Sequence, residues 1–234
     1  MPTPPSQAEQ WLSDAQAAVT RQEPAFALEK YLQFFEHALE ENPALSAVRL
    51  SFCLSGWADL ARNYPPAQLK LEQHCEQSLQ QFMATGLTSD FHDYLSICRC
   101  LNTSDAALET FCRIHETHPA LAASVHDLIW AQLAEAEKWS VCARYLDDYQ
   151  KKYELALEVY LGSMSIAQKH PDAGDEFITI CQQRFADHIR HLISALEHTG
   201  RQQQASDICG LANQAVITHQ IPLELFTCAG GSQQ

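Results

Sequence analysis

Residues 104–119 read SDAALETFCRIHETHP, and this stretch decides the fold class. Its apolar residues Ala107, Leu108, Phe111 and Ile114 recur at intervals of three and four, which places them on one face of a helix. Small polar residues suited to a helix start stand at its beginning. The proline at its end stops the helix, because proline disfavours the helical conformation of the residue before it. The stretch therefore predicts one amphipathic helix with a defined beginning and end.

The same combination of apolar faces and helix breakers continues along the chain. Proline follows Asn42, Tyr64, His118 and His170 and is expected to stop a helix at each place. Glycine is scarce, with 8 in the chain, and no alternation of apolar and polar residues persists long enough to predict a strand. The predicted fold class is all-α, with about eleven helices. They are expected at residues 6–21, 24–41, 44–63, 66–84, 89–101, 104–117, 119–137, 139–152, 153–169, 174–198 and 201–218, with Ser89, Ser104 and Asp172 as N-caps.

Parts of this helical pattern recur. An aromatic residue, then a small or apolar residue, then a proline occur at the same spacing in residues 35–43 and 111–119. Residues 57–64 carry a tryptophan, a leucine–alanine pair and a tyrosine. The matching residues are Phe35, Ala38 and Pro43, then Ala107, Phe111, Ile114 and Pro119, and finally Trp57, Leu60, Ala61 and Tyr64.

These motifs resemble the signatures of tetratricopeptide repeats. The first two sets are similar to the second helix of such a repeat, and the third set is similar to its first helix. The resemblance implies stacked antiparallel helical hairpins, a TPR-like α-solenoid, over residues 6–218. Residues 1–5 are then expected to be a disordered N-terminus, and residues 219–234 a partly disordered C-terminal tail.

What the resemblance implies about function is a concave groove that binds a peptide or a helix of a partner. The chain is accordingly expected to be a non-catalytic protein–protein interaction module, an adaptor or scaffold. The expected groove is polar and largely acidic, which favours a basic partner protein or peptide. Its polar residues are expected to be Asp59, Arg62, His92, Asp93, Arg99, Asp127, Asp187, Arg190, His191 and Ser194.

Two alternative functions remain open. One is a small acidic cytosolic chaperone or a regulator that works as a homodimer, since some such chaperones share this kind of repeat. The other is an enzyme or metal sensor built on Asp187, His188 and His191, whose spacing on one helix suits zinc or iron. Solvated surface histidine is the plainer interpretation of these residues. No catalytic residue, metal ligand or cofactor is therefore assigned.

The charge balance narrows the range of partners. The chain has 15 basic and 29 acidic residues and a formal net charge of −14. Nucleic-acid binding depends on Lys and Arg at phosphates, so no nucleic-acid partner is expected. No apolar run approaches the roughly 18 residues that cross a bilayer, and the first residues lack the basic and apolar regions of a secretory signal. The expected setting is cytoplasmic, without a membrane.

Nine cysteines are spread along the predicted helices without the spacing of a metal site. In a reducing compartment their expected role is that of small buried hydrophobic residues. Cys98 and Cys100 are the closest pair, but side chains two residues apart on a helix point to nearly opposite sides. His74 and Cys75 place a base beside a thiol, but no third group that would orient them is evident.

Overall fold

The structure, a computed structural model, describes residues 6–169 and 174–228, and in these residues it contains helices and no strand. The predicted all-α fold is confirmed, with eleven helical segments in the described part of the chain. They are α1 (Gln7–Thr20), α2 (Pro24–Glu41), α3 (43–61), α4 (Pro65–Thr85), α5 (Thr88–Cys100), α6 (Ser104–Thr117), α7 (Pro119–Glu135), α8 (139–145), α9 (Tyr149–Lys169), α10 (Gly174–His198) and α11 (Gln202–Thr218). The predictions for residues 1–5 and 229–234 lie outside the described residues.

Prolines begin helices as well as ending them. Pro24, Pro65 and Pro119 are each the first residue of a helix, where proline's missing N–H is not needed. At α1, the Ser6 hydroxyl accepts a hydrogen bond from the Glu9 N–H at 3.2 Å, and the Ser6 N–H donates to the Glu9 carboxylate at 2.8 Å. This reciprocal cap satisfies two N–H groups that the helix itself leaves unpaired.

The predicted N-caps lie elsewhere. Ser89 and Ser104 are inside the first turns of α5 and α6, and the residues that precede these helices are Leu87 and Thr103. Both helices instead carry an acidic residue in the first turn, which the helix dipole favours. Asp172, the third predicted cap, lies outside the described residues.

The largest boundary error concerns α8 and α9. The sequence predicted a break after residue 152, whereas α8 ends earlier and α9 runs unbroken from Tyr149. The chain bends where Leu146 is 0% exposed. At the end of α8, the Arg201 guanidinium donates to the Ala143 carbonyl at 3.3 Å. A contact between distant parts of the chain therefore sets this boundary.

The chain divides into two compact units, Met1–Val125 (unit 1) and His126–Gln234 (unit 2), and the division falls inside α7. Each unit has its own buried residues. The stacking of all the hairpins into one solenoid over residues 6–218 stays a prediction.

In unit 2, α10 lies at the centre of the helical packing. It contacts both α9 and α11, and its apolar face is buried. Part of the predicted tail also packs here, since Phe226 is buried and Asn213 of α11 binds both its N–H and its C=O, at 2.7 and 3.0 Å.

A buried arginine joins three helices of unit 1. Arg49 begins a π-helical turn of α3 and donates two hydrogen bonds of 2.6 Å to the Asp93 carboxylate on α5. Its Nε donates to the Phe35 carbonyl of α2 at 2.6 Å, and its guanidinium lies 3.8 Å from the centre of the Phe35 ring. The side chains of Arg49 and Asp93 are only 10% and 16% exposed, so water screens the ion pair weakly.

We expect Asp93→Ala to lower the free energy of unfolding of unit 1 by about 3–5 kcal/mol, because it leaves the Arg49 cation buried without a counter charge. Urea denaturation followed by circular dichroism measures the loss. Asp59→Ala is the matched control: its partner is Arg62 at 3.2 Å, and the two side chains are 62% and 77% exposed. That change should cost less than about 1 kcal/mol. Equal losses would contradict a structural role for the buried pair.

Gly56 allows α3 to approach α2 closely. A Cβ atom at this position would lie 2.4 Å from the Tyr31 hydroxyl oxygen, which is closer than atoms in contact can come. Tyr31 is 2% exposed and packed in the core of unit 1, so its ring has little room to move away.

Gly56→Ala should therefore lower the stability of unit 1 by about 1–3 kcal/mol, since an overfilled core must shift its neighbours. Gly210→Ala in α11 is the control, because an added Cβ meets nothing within 4 Å there. In a helix interior this change should raise stability by up to about 1 kcal/mol. Thermal melts of both variants measure whether stability falls in the first and rises in the second. Stabilisation by both changes would refute the close approach of α3 to α2.

Candidate binding groove in unit 2

The ammonium of Lys152 is the most enclosed charge of unit 2. Lys152 lies in the first turn of α9 and is 7% exposed. Its Nζ contacts the Asp127 carboxylate, lies 2.8 Å from His126 Nε2 and stands 4.7 Å from the centre of the Trp130 ring. These three partners all come from α7, at spacings that bring side chains to one side of a helix. A charged lysine thus fixes α9 against α7.

Asp127 is the water-facing member of this pair, with 60% of its side chain exposed. Its partial burial works against the ionised carboxyl. The hydrogen bond and the charge of Lys152 outweigh that effect and hold the pKa of Asp127 below its ordinary value. At neutral pH this carboxylate is therefore ionised and already engaged with Lys152.

Two histidines of α10 place unpaired polar atoms in the interior of unit 2. His188 Nε2, His191 Nδ1 and the Trp130 indole nitrogen are buried and have no hydrogen-bond partner among the described residues. Burial, assisted by the charge of Lys152, lowers the pKa of His188 to about 4, so its imidazole is neutral at physiological pH. A buried polar atom without a partner requires an explanation, and a bound group that supplies the missing hydrogen bond is one.

Two adjoining cavities open at His188. The first, of about 350 Å³, is the polar cavity, and the second, of about 270 Å³, is the apolar cavity. Leu155 and His188 line both, so we treat the two as one feature, the unit 2 groove. The polar cavity is lined by His126, Asp127, Arg144, Tyr145, Asp147, Asp148, Lys151, Lys152, Leu155 and His188. The apolar cavity is lined by Leu155, Ala156, Val159, Tyr160, Ser163, Cys181, Arg184, Phe185 and His188.

The α9 side of the groove exposes apolar surface. Leu155 is 53% exposed, Val159 61% and Ile166 54%, and their spacing places them on one face of the helix. Single exposed apolar residues are common on protein surfaces, but an aligned row beside a cavity is typical of a binding surface.

The ten groove residues predicted from sequence divide equally between the two units. Asp127 is the one among them that lines the unit 2 groove. Asp187 of α10 instead binds Arg190 at 2.9 Å and Gln183 at 2.8 Å. His191 is partly buried, as is Ser194, whose carbonyl contacts His198 at 2.8 Å.

The five predicted residues of unit 1 have separate surroundings. Asp59 pairs with its neighbour Arg62 at the surface, and Asp93 is the buried partner of Arg49. His92 and Arg99 are exposed on α5.

Sequence reasoning missed Lys152, Leu155 and Val159. The signal was present, because these residues are three and then four positions apart and so share a helix face. The predicted helix break after residue 152 separated the lysine from the two apolar residues and concealed the pattern.

The described residues contain no group of three or more His, Cys, Asp or Glu side chains placed to hold a metal ion. Among the same residues, no helix combines the length and the apolar character needed to cross a membrane. Comparisons of the chain with protein families, with curated proteins and with solved structures found no match in any of the three.

We expect His188 to make unit 2 less stable as the pH falls from about 6.5 to about 4. The unfolded chain binds a proton on this imidazole below about pH 6.5, whereas the folded chain does so only near pH 4, so protonation favours unfolding in this window. The loss should reach up to about 3 kcal/mol. Denaturant unfolding at pH 7 and at pH 4.5 measures it.

His188→Asn removes the titrating group and should flatten that pH dependence. His219→Asn, which changes an exposed histidine of unit 2 in the same way, should keep the wild-type difference between the two pH values. If both variants lose stability in acid as the wild type does, the assignment to His188 is wrong.

Proposed function

We propose that the chain is a protein-interaction module whose unit 2 groove binds a segment of a partner protein. The observation that carries the proposal is that a polar and an apolar cavity share Leu155 and His188 as lining residues, beside solvent-exposed apolar side chains. Clefts of a few hundred Å³ with an apolar wall and a few convergent polar groups are typical of binding sites. The resemblance of α2, α3 and α6 to helices of tetratricopeptide repeats supports the same class of function.

The apolar cavity supplies most of the proposed contact area. A leucine, methionine or aromatic side chain of the partner would pack between α9 and α10 against Leu155, Val159 and Phe185. Burial of such a side chain stabilises a complex by about 1.5–3 kcal/mol. Partner residues three or four apart on a helix match the row on α9, which is the common way for an amphipathic helix to bind a groove.

The polar cavity determines which charge the partner carries. Asp127 is engaged with Lys152, and Asp147 lies 3.3 Å from the Arg201 guanidinium. Arg144, Lys151 and Asp148 line the same cavity, and none of the three forms an ion pair within the described residues, so the unpaired charges are two cations and one carboxylate. Two cations are thus available to a carboxylate, and His188 offers a neutral hydrogen-bonding nitrogen. The proposed partner segment is therefore apolar along its length and carries an acidic side chain or a C-terminal carboxylate at one end.

The setting proposed is the cytoplasm. None of the nine cysteines, all of which lie in the described residues, forms a disulfide bond. Unbridged cysteines in this number are usual in a reducing compartment.

Val159→Glu should abolish the proposed interaction, because it places a charge on the apolar wall without disturbing the core. The wild-type chain, this variant and Ile217→Glu are immobilised, incubated with lysate, and their bound proteins compared by quantitative mass spectrometry. Ile217 is the matched control, since it is 65% exposed on α11 and lies outside the groove. We expect at least one protein to bind the wild type and the control and to fall about tenfold or more on Val159→Glu. Identical bound proteins on all three would refute the groove.

Charge reversal in the polar cavity tests whether the partner carries an acidic group. For a partner found in this way, Lys151→Glu should weaken binding and reduce its dependence on salt, because the lost contact is electrostatic. A photo-activated cross-linker at position 159 should join the chain to the same partner. If the partner is cross-linked at position 159 through an apolar segment but Lys151→Glu does not change its affinity, the apolar groove stands. The proposed contact with an acidic group of the partner is then wrong.

A second copy of the chain is the competing occupant, and the row of Leu155, Val159 and Ile166 favours it. Such a row could pair with its own copy and produce the homodimer considered from sequence. Sedimentation equilibrium separates the two cases: a dimer that dissociates on Val159→Glu identifies self-association, whereas a monomeric wild type leaves the groove to a different protein.

A further inference from the structure

Two cysteines of unit 1 meet across a helical hairpin. Cys75 lies on α4 and Cys98 on α5, at equal distances along the chain from the turn at Gly86 and Leu87. Their Sγ atoms are 3.4 Å apart. Gly86 adopts the left-handed conformation, with φ of 74°, which reverses the chain and brings the two helices side by side.

The geometry allows a bond between these sulfurs with little movement. A disulfide bond is about 2.05 Å long, so the two Sγ atoms need to approach by roughly 1.4 Å. Rotation about the side-chain bonds can supply a shift of this size. The ring contact of Phe82 with Phe91, whose centroids are 4.9 Å apart, fixes the same two helices to each other nearer the turn. The hairpin therefore holds the thiols together before any reaction.

The surroundings of Cys98 also favour its ionised form. The hydrogen bond from Cys75 is the largest influence, and burial works against it; hydrogen bonds from Thr103 and Tyr94 add to the first effect. Together they lower the pKa of the Cys98 thiol to about 7. Cys53 differs, because burial raises its thiol pKa to about 12. The thiolate is the reactive form of cysteine, and Cys98 is ionised to a large extent at neutral pH.

We propose that Cys75 and Cys98 form a peroxide-sensitive dithiol, a modification site at which hydrogen peroxide converts the two thiols into one disulfide. This inference concerns unit 1 and is independent of the binding function proposed for unit 2. It rests on the contact between the two sulfurs and on the hairpin that maintains it.

The reaction balances in two steps. The Cys98 thiolate attacks one oxygen of the peroxide, the O–O bond breaks, and hydroxide leaves and takes up a proton as water; Cys98 is then a sulfenic acid. The Cys75 sulfur attacks the Cys98 sulfur, a second hydroxide leaves, and it takes up the Cys75 proton as a second water. Two thiols lose two electrons in all, and one hydrogen peroxide is reduced to two waters. A small dithiol such as dithiothreitol reverses the change.

The oxidant is assigned from access. Cys98 is 3% exposed, and Cys75 is partly buried. Hydrogen peroxide is little larger than water, whereas a disulfide such as oxidised glutathione must bring a bulky sulfur in line with the attacking thiolate. The site should therefore react with peroxide and much more slowly with oxidised glutathione.

The structure supplies an internal comparison pair. In unit 2, the Cys209 thiol donates to the Phe226 carbonyl at 3.0 Å, and the Cys228 thiol donates to the Ala205 carbonyl at 3.4 Å. Burial and the neighbouring Cys209 raise the pKa of Cys228 to about 12. The Cys228 thiol is also hydrogen-bonded to Cys209, but its raised pKa keeps it protonated, so this pair should remain reduced at a dose that oxidises the hairpin.

The experiment treats the full chain, first reduced and freed of reductant, with one equivalent of hydrogen peroxide. The remaining thiols are alkylated, and peptides are mapped by mass spectrometry without reduction. We expect a peptide that links Cys75 to Cys98, a loss of two alkylated sites per chain, and full recovery with dithiothreitol. Oxidised glutathione at the same concentration should give at least tenfold less of this product. If Cys209 or Cys228 is oxidised while Cys98 is still alkylated, the proposal is overturned.

Two variants separate the roles of the thiols. Cys75→Ser should leave Cys98 as a sulfenic acid that the reagent dimedone traps, and Cys98→Ser should leave Cys75 alkylated after the same treatment. Circular dichroism checks that each variant is folded. If Cys98→Ser is unfolded, the linked peptide of the wild type alone tests whether the two thiols form a disulfide. The oxidised wild type should also melt about 5–10 °C higher in its unit 1 transition, because the bond closes the open end of the hairpin. A linked chain with an unchanged or lower melting temperature would show strain and refute a disulfide that fits this hairpin.

Discussion

Each unit depends on one buried cation whose counter charge comes from another helix. In unit 1 it is Arg49, which meets Asp93 and lies over the Phe35 ring; in unit 2 it is Lys152, which meets Asp127 and stands over Trp130. Removing a charge from water costs several kcal/mol unless a partner and hydrogen bonds replace the lost hydration. The helices that carry the partners must therefore lie where the charges meet. This requirement limits how they can pack, whereas apolar burial alone would accept many arrangements.

The same constraint shapes the groove. Lys152 draws the start of α9 onto α7, and α9 then continues beside α10 with Leu155 and Val159 left uncovered. The ion pair with Lys152 also neutralises the Asp127 charge. The charges that a partner would meet in the polar cavity therefore differ from those counted in the sequence. The charge of a site is what remains after its internal ion pairs have formed, and a formal net charge does not give it.

Much of the fold could be predicted from the chain, because its helix boundaries are local. Proline at positions 24, 65 and 119 and glycine at 86 act through their own backbones, and the helices they bound lie within a few residues of the prediction. The predicted break after residue 152 was wrong. The contact of Arg201 with α8 and the burial of Leu146 place the boundary at residues 146–149 instead. Local signals do not contain contacts of that kind.

The sites were less predictable, since each depends on residues that are far apart in sequence. Asp93 and Asp127 were predicted to be groove residues that bind a partner, but each binds a basic residue of this chain, 44 and 25 positions away. The cysteines show the same limit. Cys100 is the nearest cysteine to Cys98 in sequence, but side chains two residues apart on a helix point to nearly opposite sides, and the neighbour in the structure is Cys75 on another helix. Spacing can exclude a pair on one helix, but only packing can form a pair between two.

The negative charge of the chain opposes an acidic partner in the proposed groove only weakly. At physiological ionic strength, charges more than about 8 Å apart are largely screened, so most of the −14 formal charge acts weakly at the polar cavity. Arg144 and Lys151 lie at the cavity itself, where an incoming carboxylate would displace water and strengthen both contacts. The distant acids would slow the approach of such a partner, whereas the nearby cations would slow its departure. Binding in this groove is therefore expected to combine a modest association rate with selectivity for segments that end in a carboxylate.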